Sequence, residues 1–210
     1  MNIQNYIGIA LEELYRIFDL LNKKYFSNQL PAPIITIQTT KKSNVMGWFT
    51  LDKIWKSIEE KDFKDEKHEI NISAEFLRRD VSDIVETLQH EICHYYNKLS
   101  DIIDYHGNYH TKKFKETAEK FGLICHKDSK VGYGLTERSE QFNNFIKDEI
   151  KPNQDCFVYF RSFVPKKKAA ERKKNLFKYK CEQCNTEAKA KRDTNLICGN
   201  CNSEMVIQEE

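Results

Sequence analysis

In His90-Glu91-Ile92-Cys93-His94 two imidazoles stand four positions apart, a spacing that on a helix turns both rings toward one face. Hydrolysis at zinc needs three protein ligands, one open coordination position, and a carboxylate that carries a proton from the attacking water to the leaving amine. His90 and His94 supply two ligands. Glu91, one residue past the first, would sit beside such a metal without reaching it, which suits a general base that later acts as acid. A third ligand must come from elsewhere. His106 and His110 are the candidates, since both follow a turn after the motif.

A second pattern lies near the C-terminus. Cys181-Glu182-Gln183-Cys184 and Cys198-Gly199-Asn200-Cys201 form two knuckles whose four thiolates close a tetrahedral structural zinc site with no open position. A thioredoxin-like redox motif would use a single such pair. Asn185 and Asn202 follow the knuckles, and asparagine tolerates the left-handed backbone that such turns often need. The segment is too small to bury a core, so it is expected to be unfolded without metal. The implied cofactors are Zn2+ ions, one catalytic and one structural. Cys93 reads as a small buried residue on the core side of its helix, while Cys125, Cys156, His68 and His126 have no partner spacing and receive no role. Asp101 and Asp104 are candidates to hydrogen-bond a ligand histidine, against the plainer reading of turn residues. Tyr105, Tyr109 and Tyr133 are available near the motif, but nothing marks any of them as the oxyanion-stabilising group.

The elements that must position these groups follow from periodicity. Ile7, Leu11, Leu14, Phe18, Leu21 and Tyr25 recur at helical spacing, and Asn28 to Pro33 end that helix. Strands are expected at Ile34 to Ile37, Val45 to Thr50 and Glu69 to Ile72, with a solvated loop from Glu59 to Lys67. Asp80 is placed to cap a helix whose stripe is Val81, Ile84, Val85, Leu88, Ile92 and Tyr95, with both histidines on a neighbouring face. A shorter helix fits Lys112 to Phe121, capped by Thr111 and closed by Gly122, with Phe114, Ala118 and Phe121 inward. Thr136 to Ile150 reads as a further helix, and Cys156 to Val164 as a strand rich in aromatic and β-branched residues. Pro165 and the run Lys166 to Lys174 mark a linker.

With 210 residues and 40% hydrophobic content, the chain has room for one medium domain and a small appendage. Met1-Asn2-Ile3-Gln4 lacks a basic n-region, and Glu12, Glu13, Arg16 and Asp19 interrupt the first apolar stretch, which fits neither a signal peptide nor a spanning helix. A cytoplasmic protein with reduced thiols and no membrane contact is therefore expected. A net charge of +2 gives no strong overall field, so affinity for nucleic acid would have to come from a local patch. Lys166, Lys167, Lys168, Arg172, Lys173 and Lys174 supply one, extended by Lys178, Lys180, Lys189, Lys191 and Arg192. Such a patch neutralises phosphates without reading sequence.

These motifs together resemble the SprT-like family, which includes the Spartan-type DNA-protein crosslink proteases. Beyond the histidines, Asn22 to Pro33 resembles the family's exit from its N-terminal helix, Met46-Gly47-Trp48-Phe49 its glycine-tryptophan strand, and Thr87-Leu88 the approach to the motif. In that family a ligand histidine follows the motif helix, with an aromatic residue four places later. Phe114 stands four after His110, so the resemblance selects His110 as third ligand and leaves His106 to a supporting or cleft role. Tyr109 and Thr111 flank it where many relatives have glycine. The implied fold class is α+β: a zincin-like minimal metalloprotease domain over residues 1–164, a basic linker over 165–178, and a small four-cysteine zinc ribbon over 179–206. The implied function is a zinc-dependent endopeptidase, acting as a monomer on a protein substrate associated with or crosslinked to DNA. The rival is a non-proteolytic nucleic-acid-binding or transcription-associated metal-binding adaptor, against which the intact Glu91 speaks.

Overall fold

The computed structural model of the protein describes residues 5–40, 44–59, 65–163 and 176–208. The chain divides into two compact units, Met1–Phe163 and Val164–Glu210. The first opens with α1 (Tyr6–Phe26), which buries Ala10, Leu14, Ile17, Phe18 and Leu21 along one stripe. It stops where Ser27 and Asn28 take positive φ of 54° and 58°. The buried side chain of Asn22 then bonds both backbone groups of Leu30, at 3.2 Å to its N–H and 2.9 Å to its carbonyl, and so aims the chain into the first strand.

That strand, β1 (Ile34–Gln38), runs parallel to β5 (Glu69–Ser73), whose other edge pairs antiparallel with β2 (Gly47–Phe49). As the central strand, β5 is buried on both faces. Between β2 and β5 the chain folds a small ladder of β3 (Trp55–Lys56) on β4 (Glu66–Lys67), so part of the expected solvated loop is paired. Next comes α2 (Val81–Leu99), capped by the Asp80 carboxylate accepting the Ser82 N–H at 2.8 Å. Ile84, Val85, Leu88 and Ile92 are fully buried beneath it. Each such side chain contributes about 1.5–3 kcal/mol of burial, so the helix carrying the histidine motif is fastened by its opposite face.

A second sheet of order β6-β7-β9-β8 follows, built from β6 (Tyr105–His106), β7 (Tyr109–His110), β8 (Leu123–Asp128) and β9 (Gly132–Arg138). Inserted between β7 and β8, α3 (Lys112–Lys120) is capped by Thr111 and buries Phe114 and Ala118. Here one expectation fails: Thr136 to Arg138 belong to β9, and α4 (Glu140–Phe145) begins only after Ser139, whose hydroxyl accepts the Phe142 N–H. A π turn, Ile146–Ile150, completes it. The reason is nonlocal, because Cys125 and Thr136 are directly paired across the β8–β9 ladder and that pairing overrides the local helical pattern.

The expected strand from Cys156 to Val164 also fails over its described residues. Gln154–Cys156 is a 3-10 turn, and residues 157–163 form an irregular strap. Its aromatic rings find separate partners, Tyr159 against Tyr6 and Phe163 against Phe76, instead of one sheet face. The second unit is a three-stranded sheet with β10 (Phe177–Cys181) between β11 (Glu187–Ala190) and β12 (Met205–Ile207). Among its described residues the buried core is Tyr179, Cys181, Cys198 and Met205. The basic candidates Lys166, Lys167, Lys168, Arg172, Lys173 and Lys174 lie outside the described residues.

Candidate metal centres

His90 and His94 project from one face of α2 with ring centroids 5.1 Å apart, and His110 approaches from β7. The three share a group whose ligand atoms all lie within 4.8 Å of one another. Nε2 of His90 and Nε2 of His110 are 3.3 Å apart. Phe114, fully buried at the start of α3, is the floor, with its ring centroid 4.6, 4.5 and 4.7 Å from those of His90, His94 and His110. His106 is exposed, pairs with Tyr109 in the hairpin, and does not join the cluster.

Each imidazole is held from behind through Nδ1. His94 meets Asp104 Oδ2 at 2.7 Å, and that same oxygen accepts the Asn97 amide at 2.8 Å. Asn97 in turn accepts the Thr117 hydroxyl at 2.7 Å, so a buried chain of hydrogen bonds fixes the carboxylate. His110 meets the Val131 carbonyl at 3.2 Å, and His90 meets Thr136 Oγ1 at 3.4 Å. A carboxylate and a carbonyl can only accept, so Nδ1 carries the proton in His94 and His110 and Nε2 is left as a lone-pair donor. Burial first, then the neighbouring histidines, pushes His90 well below the ordinary imidazole value. Burial and His94 likewise bring His110 down to about 4. Three neutral imidazoles, two of them with Nε2 lone pairs turned into the cluster, make a donor set that a divalent cation can use, and zinc fits it.

Glu91 is 7% exposed, and burial raises its carboxyl to about 7, with His94 opposing the rise. Room beside it depends on Gly47. A Cβ there would stand 2.8 Å from the Asn71 carbonyl oxygen, 3.0 Å from Thr87 Cγ2 and 3.3 Å from Glu91 Cγ. Strand β2 is thereby pressed against α2 at the turn that carries the motif. Two glycines do the same for His110: a Cβ on Gly134 would fall 2.5 Å from its Nδ1, and one on Gly132, where φ is +65°, 2.2 Å from its carbonyl oxygen.

In the second unit the sulfurs of Cys181, Cys184, Cys198 and Cys201 also lie within 4.8 Å of one another. Each knuckle closes on itself, with Asn185 N–H donating to the Cys181 carbonyl at 2.9 Å and Asn202 N–H to that of Cys198 at 2.8 Å. Both asparagines sit at positive φ, 61° and 52°. Hydrogen bonds from the Thr186 side chain and backbone hold the Cys184 thiol below its ordinary value, toward the thiolate a metal needs. The donor set is that of a closed structural zinc site.

Residues 14–130 match the SprT-like family, more than half of the chain. The chain belongs to the SprT-like family. No curated protein and no solved structure matches it. The SprT-like span starts inside α1 and ends just short of Val131, so it holds His90, Glu91, His94, Asp104 and His110. The first unit is thus a metalloprotease-like domain of α+β class, and a four-cysteine cluster follows it in the chain. No helix among the described residues is long and apolar enough to cross a membrane. Sequence reasoning missed Gly132, Gly134, Thr136 and the Asn97–Thr117 support. The available signal was the Gly132-Tyr133-Gly134 spacing, in which glycines two apart on a strand free one face for a close neighbour.

Proposed function

We propose that this SprT-like protein is a zinc-dependent endopeptidase acting on proteins bound or crosslinked to DNA. The observation that carries the reading is the convergence of His110, from β7, on His90 and His94, in the turn of α2 that also holds Glu91. Those three nitrogens would hold zinc, whose Lewis acidity would lower the pKa of water and polarise a carbonyl. The remaining work falls to the chain's own residues. Glu91 takes the proton from the attacking water and returns it to the departing amine nitrogen. Asp104 and Val131 keep His94 and His110 protonated on Nδ1, so their Nε2 lone pairs stay turned to the metal. Phe114 closes the floor beneath the three rings.

Support for a DNA-associated substrate comes from the sequence, in the run Lys166, Lys167, Lys168, Arg172, Lys173 and Lys174. The test is cleavage of a DNA-bound protein, and self-cleavage, with and without DNA, comparing the natural protein with Glu91→Gln. The natural protein is expected to cut and Glu91→Gln to be about 10²–10⁴-fold slower while holding the same metal. Equal zinc in both proteins with no cleavage by either would overturn the protease reading. Cleavage indifferent to DNA would overturn its substrate half.

A further inference from the structure

His90 differs from the other two histidines in what stands behind it. Asp104 and the Val131 carbonyl can only accept, whereas the Thr136 hydroxyl can either accept from Nδ1 or donate to it. If Thr136 donated, His90 would carry its proton on Nε2 and be unable to bind metal. Its geometry decides otherwise. A hydroxyl has one hydrogen, and Thr136 Oγ1 lies 3.1 Å from Glu86 Oε1. The other carboxylate oxygen, Glu86 Oε2, accepts from Arg138 Nη1 at 3.2 Å. Arg138 is itself anchored, through Nη1 to Asp83 at 2.5 Å and through Nε to Asn143 at 2.9 Å.

A carboxylate held by a guanidinium draws the threonine hydrogen, which leaves only lone pairs to face His90 Nδ1. The placement follows from two periodicities. Glu86, His90 and His94 are spaced by four on α2 and share a face. Gly134, Thr136 and Arg138 alternate along β9 and share its inner face, while Leu135 and Glu137 between them are exposed. One strand therefore serves two ligands, leaving room for His110 at Gly134 and facing His90 at Thr136. Thr136 and Arg138 lie beyond residues 14–130, so the family match does not include them.

We propose that Thr136, held by Glu86 and Arg138, is a positioning residue that fixes His90 in the Nδ1-protonated tautomer and presents its Nε2 to the metal. The proposal rests on the three histidines being metal ligands, and the test separates the two ideas. Full-length protein is titrated with Co2+ or Zn2+ against a competing chelator, for the natural chain, Thr136→Val and Thr136→Ser. The cysteine site reports separately through its thiolate-to-cobalt absorption and serves as internal control. Thr136→Val is expected to weaken metal at the histidine site by about 10- to 100-fold with the cysteine site unchanged, and Thr136→Ser to restore it. Equal affinity in Thr136→Val, or failure of Ser to rescue, overturns the proposal. A natural chain that binds metal only at the cysteines overturns the ligand reading and this inference with it. Nitrogen-resolved NMR of the zinc-loaded natural protein gives a second readout that needs no variant to fold. His90 protonated on Nδ1 supports the proposal, and protonation on Nε2 overturns it.

Discussion

The two candidate metal clusters of this chain are built by opposite routes. Among the described residues around the cysteines, Cys181 and Cys198 are half of the four that are buried, and each knuckle closes through its own backbone. Around the histidines there is a complete scaffold. The residues that bury α2, β5 and α3 are Ile84, Leu88, Ile92, Ile70, Ile72 and Phe114, none of which donates to a metal. In the second unit the metal would make the fold, and in the first the fold makes the site.

Stripping metal from the full chain is the strongest way to break that contrast. The sheet of β10, β11 and β12 is expected to lose protection against amide exchange, since structural zinc contributes about 10–16 kcal/mol in domains of this kind. The first unit should keep a cooperative melt. Joint collapse of both units would show that the histidine site is also a folding centre. A smaller effect sharpens the comparison: His110→Ala should lower the zinc content by one ion per chain and His106→Ala should leave it unchanged, read by metal analysis of folded protein. The reverse result would move the third ligand to His106.

The smallest expected effect involves none of the residues of either cluster. Arg16 Nε and Nη2 each donate to Glu13 at 2.7 Å, Arg16 Nη1 reaches the Ile150 carbonyl, and Glu13 also accepts the Asn153 N–H at 2.8 Å. This clamp ties α1 to the end of the π turn. Burial pushes Glu13 up, but Arg16 and Asn153 outweigh it and hold the carboxyl below its ordinary value of 4.5. A carboxylate lowered on folding stabilises above its unfolded pKa and loses that contribution as pH falls through the folded one. Glu13→Gln should therefore cost about 1 kcal/mol at neutral pH, with Arg16 partly solvated, and the gap to the natural protein should close below pH 4.5. A pH-independent gap in chemical denaturation would remove the charge from the explanation.

What could be read in the sequence was whatever repeats within a few residues. The stripe of α2, its Asp80 cap, the Thr111 cap of α3 and the buried run of β5 all have local signatures, and the structure has each of them. Thr136 to Arg138 looked helical because β9 gains its partners from β8, across a turn, and its inner face is half glycine. Residues 157–163 looked like a strand because aromatic and β-branched residues favour sheets, yet the strap has no ladder partner and its Arg161 N–H goes to the Ala74 carbonyl. Asp104 was visible as a candidate and not as a choice over Asp101. The choice depends on Asn97 and Thr117, which meet it only after α2 and α3 have packed.

Gly134 carries a consequence for how this chain can vary. It has no side chain to react, bind or donate, yet any added carbon would collide with the ring of His110. In a library that randomised every position and selected for a filled histidine site, residue 134 would be as intolerant as a ligand. A reader of such a library would then credit chemistry to the one place where the requirement is emptiness.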